Sequence, residues 1–433
     1  MPKGCGTSAA RQVKFYWWLP FLALTPAAFI LYWLNTHGAT AGEFTDALFI
    51  VSLLALIPLA QANGALVERL AKGAPKFISG LFEAFLDNVP EISIGFWLLL
   101  QVARHPYLQA ENFTIIHGLL LGSVIGNILL TLGIATLAGA LRHGKLRFSR
   151  ERAAGFASML GLALVGLALP TLATAFADDK SRTIQTEEWV SVVVSVILLI
   201  SYIAYILVEI FNVGEKGEKA KLETAETGPA TLETGRAGAD IQSTLERERE
   251  NTAMRVSVRE KEGAEASAPQ QSFGVLAGLL TLAFITIAAI AGVCATLATV
   301  TDRFIEHTAL TPLSFGLIVL PVITNFGELL DAGEKAFGKD MQGAMEIAAG
   351  SSVQVPLFVT PVIVFVGLLF SFLTPGLSPL ALIFQPLALI TLGLATFVYA
   401  LVNLDGETTW LEGAQLIAFY AMITVTAFAL PGA

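Results

Sequence analysis

Long apolar runs, separated by short polar stretches, make up most of this sequence. An α-helix needs about 20 apolar residues to cross a bilayer, and runs of that length recur along the whole chain. The pattern therefore predicts an all-α polytopic protein with eleven transmembrane helices. The predicted segments are 15–34, 44–68, 76–103, 114–140, 153–177, 188–212, 273–300, 312–332, 341–372, 379–402 and 411–430.

Composition supports an integral, multi-pass membrane protein whose surroundings are the lipid bilayer. Of 433 residues, 55% are hydrophobic and 14% charged, whereas an ordinary soluble domain is about one quarter charged. The two cysteines, Cys5 and Cys294, exclude a disulfide framework and make a thiolate metal site implausible. The net charge of −9 gives no reason to expect a nucleic acid partner. Association into a homo-oligomer is compatible with this pattern.

Lysine and arginine cluster in every second loop, which sets the expected orientation. They occur in the N-terminal tail, after the second predicted segment and in the loop 141–152. Because positive loops stay on the cytoplasmic side, we place the N-terminus in the cytoplasm. The segment 213–271 then also lies there. It is rich in charge and poor in large apolar residues, so we predict a charged linker without a core.

The charged linker divides the remaining segments into one plus five, and then five. Because five is an odd number, the second set must run opposite to the first, as in the inverted repeats of many transporters. We predict an N-terminal tail and leading helix at 1–43, a first repeat at 44–212, the linker at 213–271 and a second, inverted repeat at 272–433.

One polar motif occurs once in each half, at the same place in the predicted repeat. The third segment contains DNVPE (87–91) and the eighth contains TNFGE (324–328), so each has Asn-x-x-Glu. The segments that follow contain GSVIGN (122–127) and GSSVQ (350–354). An ionisable group at membrane depth is costly and by default indicates a functional site. We therefore expect the two motifs to form one site.

The chemistry of these residues indicates a site for a hard divalent cation. Two opposed carboxylates, Glu91 and Glu328, would neutralise the charge of such an ion. Neutral oxygens are offered by Asn88, Asn325, Ser123, Asn127, Ser351, Ser352 and Gln354. Calcium takes 6–8 oxygen ligands, and no His/Cys set suggests zinc or copper. Pro90 should free a backbone carbonyl near residue 86, and such carbonyls at membrane depth line cavities or bind ions.

Protons should compete with the cation for this site. Burial and a second nearby carboxylate both favour the protonated form, and a bound divalent ion reverses that preference. Three further residues are candidates for a proton pathway: Glu83, His117 and Glu346. Each has a plainer interpretation. Glu83 could lie near the cytoplasmic end of its helix, His117 could be a satisfied core histidine, and Glu346 could be interfacial.

These motifs resemble those of the calcium/cation exchanger superfamily, most closely its cation/proton exchanger branch. Its first block runs G-N-A-V-E, followed by G-S-x-x-S-N, and its second runs G-N-A-A-E, followed by G-S-S-x-Q and an apolar stretch. The similarity covers both halves and the charged central loop. This sequence departs from the blocks at Asp87 and Thr324 (each in place of Gly), Pro90, Gly126 (in place of Ser) and His117. These departures bear on ion selectivity rather than on the fold.

The resemblance implies specific roles for the residues that match the blocks. Glu91 and Glu328 would bind the cation, and backbone carbonyls of Asp87 and Thr324 would help as ligands. The supporting polar residues would be Asn88, Asn325, Ser123, Ser352 and Gln354.

The residues and the resemblance together predict an antiporter that moves calcium, or a related divalent such as manganese, out of the cytosol in exchange for protons. We expect no enzymatic activity and no cofactor. The alternatives are a sodium-coupled or monovalent cation exchanger, a passive channel, and a non-transporting membrane protein of the same fold. The absence of a cleavable signal and the long linker favour a vacuolar or other endomembrane over a bacterial inner membrane.

Overall fold

The computed structural model describes residues 18–37, 42–71, 84–175, 188–208, 273–308 and 310–429. In these ranges the chain consists almost entirely of helices joined by short connections. The predicted linker at 213–271 and Glu83 lie outside the described residues.

The first half of the chain contributes six helices. They are α1 (Leu19–His37, opening with a 3₁₀ turn), α2 (Thr45–Ala71), α3 (Val89–Arg104), α4 (Pro106–His143), α5 (Arg150–Ala175) and α6 (Glu188–Val208). A helical turn at 84–87 precedes α3. Within α4, Gly126–Thr131 is π-helical.

The second half contributes six more helices. They are α7 (Phe273–His307), α8 (Pro312–Thr324), α9 (Phe326–Phe337), α10 (Met341–Leu373), α11 (Pro386–Val402) and α12 (Trp410–Ala429). A π-helical stretch at Val355–Val359 interrupts α10, as one interrupts α4. Two short strands, β1 (Leu146–Arg147) and β2 (Glu407–Thr408), pair antiparallel and join the α4–α5 and α11–α12 connections.

The helices confirm the prediction of an all-α polytopic membrane protein. In the described part of the chain, eight helices are long and apolar enough to cross a bilayer, and nine if the bent pair α8–α9 is one span. Where the structure describes the chain, each predicted segment overlaps a helix or a broken helix. The total of eleven spans stays a prediction, because α11, for example, has only 17 residues.

Equivalent helices of the two halves pack against each other and run in opposite directions. Between α2 and α7, Phe49 stacks on Phe304 with ring centroids 3.7 Å apart, and Ser52 hydrogen-bonds Thr296 at 2.9 Å. As the residue number rises along α2, it falls along α7. An antiparallel pairing of equivalent elements is what an inverted repeat requires, although the predicted repeat boundaries stay a prediction.

The predicted segment 379–402 is wrong at its beginning, since helix α11 starts only at Pro386. Pro386 explains the difference, because the residue before a proline is pushed out of the helical region; Gln385 has ψ 135°. In the extended chain before Pro386, backbone amides donate hydrogen bonds to side chains of neighbouring helices. Ser191 accepts from the Leu382 amide at 2.9 Å, and Thr171 accepts from the Phe384 amide at 3.0 Å.

Glycines bring α4 and α8 into backbone contact beside the second Asn-x-x-Glu motif. A Cβ on Gly118 would lie 2.8 Å from the Leu317 amide nitrogen, and one on Gly122 would lie 2.1 Å from the Leu317 carbonyl oxygen. On the facing helix, a Cβ on Gly316 would lie 2.4 Å from the Ile115 oxygen. Only glycine permits this approach, so these residues fix the distance between the two helices.

Candidate cation site

Both Asn-x-x-Glu motifs interrupt a helix at the asparagine, with nearly the same backbone conformation. Asn88 has φ −97° and ψ 17° between the turn 84–87 and α3. Asn325 has φ −92° and ψ 9° between α8 and α9, whose axes differ by 52°. Each break is followed within four residues by the motif glutamate. The sequence repeat is therefore a structural repeat.

A buried side chain that the sequence reasoning missed supports the first break. Pro90 lacks an N–H, so the Leu86 carbonyl, four residues earlier, cannot complete the usual helical hydrogen bond. The Asn63 amide nitrogen, on α2, donates to the Leu86 carbonyl oxygen. Asn63 is buried, and its own amide oxygen has no hydrogen-bond partner in the described part of the chain. Because α2 is far from the motif in sequence, spacing alone could not reveal the pair.

We expect Asn63→Ala to raise the cation concentration for half-maximal transport by about 10-fold, a typical cost for losing an outer-shell partner. The Leu86 carbonyl would then be unpaired at membrane depth, and the break could relax. The matched control is Asn112→Ala, because the buried Asn112 amide likewise donates to a backbone carbonyl, that of Leu98, at 3.2 Å. Equal shifts in both variants, measured as initial uptake against cation concentration, would contradict a specific role for Asn63.

Glu91 is almost completely buried, with 1% of its surface exposed. Its carboxyl group faces the side chain of Thr324, from the other half of the chain. The contact lacks normal hydrogen-bond geometry, since the Glu91 Oε1 and Thr324 Oγ1 atoms are both buried without a hydrogen-bond partner among the described residues. The first motif thus presents a carboxylate oxygen that no described protein group satisfies.

Glu328 is held much more firmly than Glu91. Its Oε1 accepts a hydrogen bond from the Ser351 hydroxyl at 2.8 Å, and its Oε2 accepts one from the Asn127 amide at 2.8 Å. Asn127 also donates to Ser351 at 3.1 Å and accepts from Thr131 at 3.2 Å. This network fixes the carboxylate's orientation and joins α4, α9 and α10.

A hydrogen bond and electrostatic interactions connect the first motif to the second half of the chain. The Asn88 amide donates to the Gln354 Oε1 at 3.0 Å, and also to the Ala84 carbonyl at 2.9 Å. The charges of Glu91 and Asp87 both act on Glu328. The structure therefore brings together most of the residues that the sequence indicates, and each half of the chain contributes some of them.

The remaining candidates lie elsewhere or make other contacts. Ser352 donates to the Ala348 carbonyl at 2.7 Å, so Ser351 and not Ser352 contacts Glu328. His117 binds the Ala381 carbonyl at 2.8 Å in the extended chain before α11. Glu346 forms an ion pair with Arg152 at the end of the helices and is partly exposed. These placements correspond to the plainer interpretations of His117 and Glu346.

The donor set fits a hard cation as substrate. Where the structure describes the chain, no group of three His, Cys, Asp or Glu side chains comes together as a metal site. Two carboxylates are instead combined with amide and hydroxyl groups beside the two breaks. Calcium and similar ions prefer such oxygen ligands, and carbonyls at a broken helix are the usual supplement in transporters.

Comparison with known proteins identifies a family and several relatives that this chain resembles. The sequence matches the sodium/calcium exchanger protein family over residues 46–211 and 276–429. It is 26% identical over 411 residues to a Ca²⁺/H⁺ antiporter of Aphanothece halophytica, covering 95% of both chains. It is also 26% identical over 398 residues to a vacuolar calcium ion transporter of Schizosaccharomyces pombe, covering 91% of this chain and 82% of that one.

Solved structures share the fold. The native YfkE structure superposes with a TM-score of 0.67 at 21% identity, covering 95% of this chain and 99% of that chain. The H⁺/Ca²⁺ exchanger CAX gives a TM-score of 0.61 at 12% identity, covering 95% and 90%. The family match includes both Asn-x-x-Glu motifs and most of both halves. This chain therefore belongs to the sodium/calcium exchanger protein family.

Proposed function

We propose that this protein is a secondary antiporter that exchanges calcium, or a related divalent such as manganese, for protons. The observation that carries the proposal is the meeting of Glu91 and Glu328 from opposite halves at two helix breaks. Two carboxylates close enough to act on each other cannot both stay ionised in a buried site without a counter-charge. A divalent cation supplies that charge in one state, and protons remove the need for it in the other.

The two carboxylates have different roles in this proposal. Glu328, fixed by Ser351 and Asn127, orients the cation and keeps its own position. Glu91, with an unpartnered Oε1, binds the cation directly and exchanges it for a proton. Asn88 and Gln354, hydrogen-bonded to each other across the halves, hold the first break against α10. Alternating access then requires that only the cation-loaded or the protonated site reorients.

The names of the relatives support calcium and protons as the exchanged ions, since they include Ca²⁺/H⁺ antiporters and vacuolar calcium transporters. The proposed direction is removal of the cation from the cytosol. The relatives include both vacuolar and bacterial proteins, so the preference for an endomembrane stays a prediction.

The test is calcium uptake into proteoliposomes across an imposed proton gradient. We expect uptake that needs the gradient and stops when a protonophore dissipates it. Manganese should compete with calcium in the same vesicles. Uptake that follows a sodium or potassium gradient instead would replace the proposal by sodium-coupled or monovalent exchange. Current that reverses with voltage and needs no coupled ion would indicate a channel.

A further inference from the structure

The asparagines at the two helix breaks do not have equivalent hydrogen-bond partners on the helices that cross them. Gly122-Ser123 on α4 corresponds to Gly350-Ser351 on α10. Under the same alignment Gly126 corresponds to Gln354, and α4 and α10 meet at equivalent residues, since Ser352 lies 3.4 Å from the Val124 oxygen. The partner of Asn88 is Gln354. The equivalent partner of Asn325 would be residue 126, which has no side chain.

The packing of α4 against α8 places Gly126 beside the second break. Gly118, Gly122 and Gly126 follow at intervals of four residues and so share one helix face. Gly118 faces Leu317, and Gly122 faces Leu317 and Pro321, so the next position faces the end of α8. There α8 ends at Thr324, and α9 continues at 52° to it. No described atom outside the local helix lies within 4 Å of a Cβ built on Gly126.

Three buried polar side chains belong to the same part of the fold: Ser123 lies one turn before Gly126 on α4, and Thr324 and Asn325 stand at the end of α8. We call this place the Gly126 wedge and define it by Gly126, Ser123, Thr324 and Asn325. Ser123 is 0% exposed, Thr324 5% and Asn325 6%. Their Ser123 Oγ, Thr324 Oγ1 and Asn325 Nδ2 atoms have no hydrogen-bond partner among the described residues. Buried polar groups in native proteins are almost always paired with protein or with ordered water.

We propose that the Gly126 wedge holds a water molecule that serves as one ligand of the transported cation. The water accepts a hydrogen bond from Asn325 Nδ2 and donates to the Thr324 and Ser123 hydroxyl oxygens. Its remaining lone pair faces the cation. The site is polar, and a buried water needs 2–4 such partners. This inference rests on the proposed function, since it assigns part of the shell of the same cation.

Gly126 is then a residue that determines ion specificity. Calcium accommodates 6–8 oxygen ligands, whereas smaller divalent ions prefer about six at shorter distances. A side chain that fills the wedge without offering an oxygen removes one ligand and penalises calcium more than manganese. A serine supplies a hydroxyl in place of the water and should leave the preference nearly unchanged.

The experiment compares Gly126→Val, Gly126→Ser and wild type for calcium and manganese uptake in proteoliposomes. The control is Gly155→Val, because Gly155 is exposed on α5 and also has no described atom within 4 Å of its Cβ position. We expect the ratio of KM for calcium to KM for manganese to rise about fivefold in Gly126→Val and to stay within about twofold in the other variants. An unchanged ratio in an active Gly126→Val protein overturns the proposal.

A second measurement does not depend on transport. Gly126→Cys in a Cys5→Ser background should react with a small water-soluble thiol reagent, and calcium should slow the reaction. The remaining native cysteine, Cys294, is fully buried, and the Cys5→Ser protein without the Gly126 substitution measures the background. A Gly126→Cys protein that is folded but unreactive overturns the proposal, even if Gly126→Val fails to fold. Loss of all divalent uptake in wild type would instead defeat the proposed function, while this reaction still reports water in the wedge.

Discussion

Replacing Glu91 by glutamine should abolish cation transport while leaving the protein at least as stable as wild type. The neutral amide cannot balance a divalent cation or exchange a proton. We expect a loss of about 100-fold or more, because even outer-shell changes at metal sites cost about 10–100-fold. Glu91 is buried with an unpartnered Oε1, so a neutral amide adds no buried charge and breaks no hydrogen bond described for that atom.

Glutamine at position 328 should also abolish transport, but with a loss of stability. Both Glu328 oxygens accept hydrogen bonds, from Ser351 and Asn127. A glutamine side chain has only one acceptor oxygen, so either the Asn127 amide or the Ser351 hydroxyl would lose its acceptor. Asn127 cannot turn its amide without losing the bond from Thr131. Leaving a buried group unpaired costs about 1–3 kcal/mol.

Uptake in proteoliposomes and thermal unfolding in detergent measure the two effects separately. The control is Glu346→Gln, which removes an acid of the same size from the partly exposed ion pair with Arg152. Transport should persist in this variant. Substantial calcium transport by Glu91→Gln, or equal unfolding temperatures for Glu91→Gln and Glu328→Gln, would contradict the different roles assigned to the two carboxylates.

Alanine at Gly122 should have the largest effect on folding among small substitutions near the site. Its Cβ would lie 2.1 Å from the Leu317 carbonyl oxygen and 2.6 Å from Pro321, and the backbone cannot yield without moving α8. Overpacking of this kind costs about 1–3 kcal/mol and occasionally more. We expect a clearly lowered unfolding temperature and a reduced yield of monodisperse protein.

Gly126→Ala provides the matched control for this prediction. The residue lies one turn further along the same face of α4, and its Cβ position is clear of described atoms to 4 Å. This variant should fold as well as wild type. If Gly122→Ala unfolds at the same temperature as Gly126→Ala, the close approach of α4 and α8 is wrong.

The fold and the central pair of glutamates could be predicted because their signals are local. Apolar runs of helical length mark the spans, and Asn-x-x-Glu within such runs marks the site. The first break is indicated by Pro90, since a proline inside a span disturbs the helix. The structure adds that the two breaks share one backbone conformation at Asn88 and Asn325.

What the sequence missed depends on contacts between distant residues. The bond from Asn63 to Leu86 joins α2 to the first break, and nothing near Asn63 in the sequence announces it. The difference between Gln354 and Gly126 has meaning only when the two halves are superposed. The sequence makes His117 a candidate proton relay, but its ring contacts the Ala381 carbonyl, because the extended chain before α11 needs side-chain partners at membrane depth.

The central claim is that calcium and protons compete for one site built from Glu91 and Glu328. It is tested most directly by adding calcium to purified protein in weakly buffered detergent solution and recording proton release with a pH indicator. The account predicts that wild type releases protons as calcium binds, with less release as the starting pH rises, and that Glu91→Gln and Glu328→Gln release fewer. Calcium binding with no proton release at any pH, or with undiminished release in both variants, would contradict it.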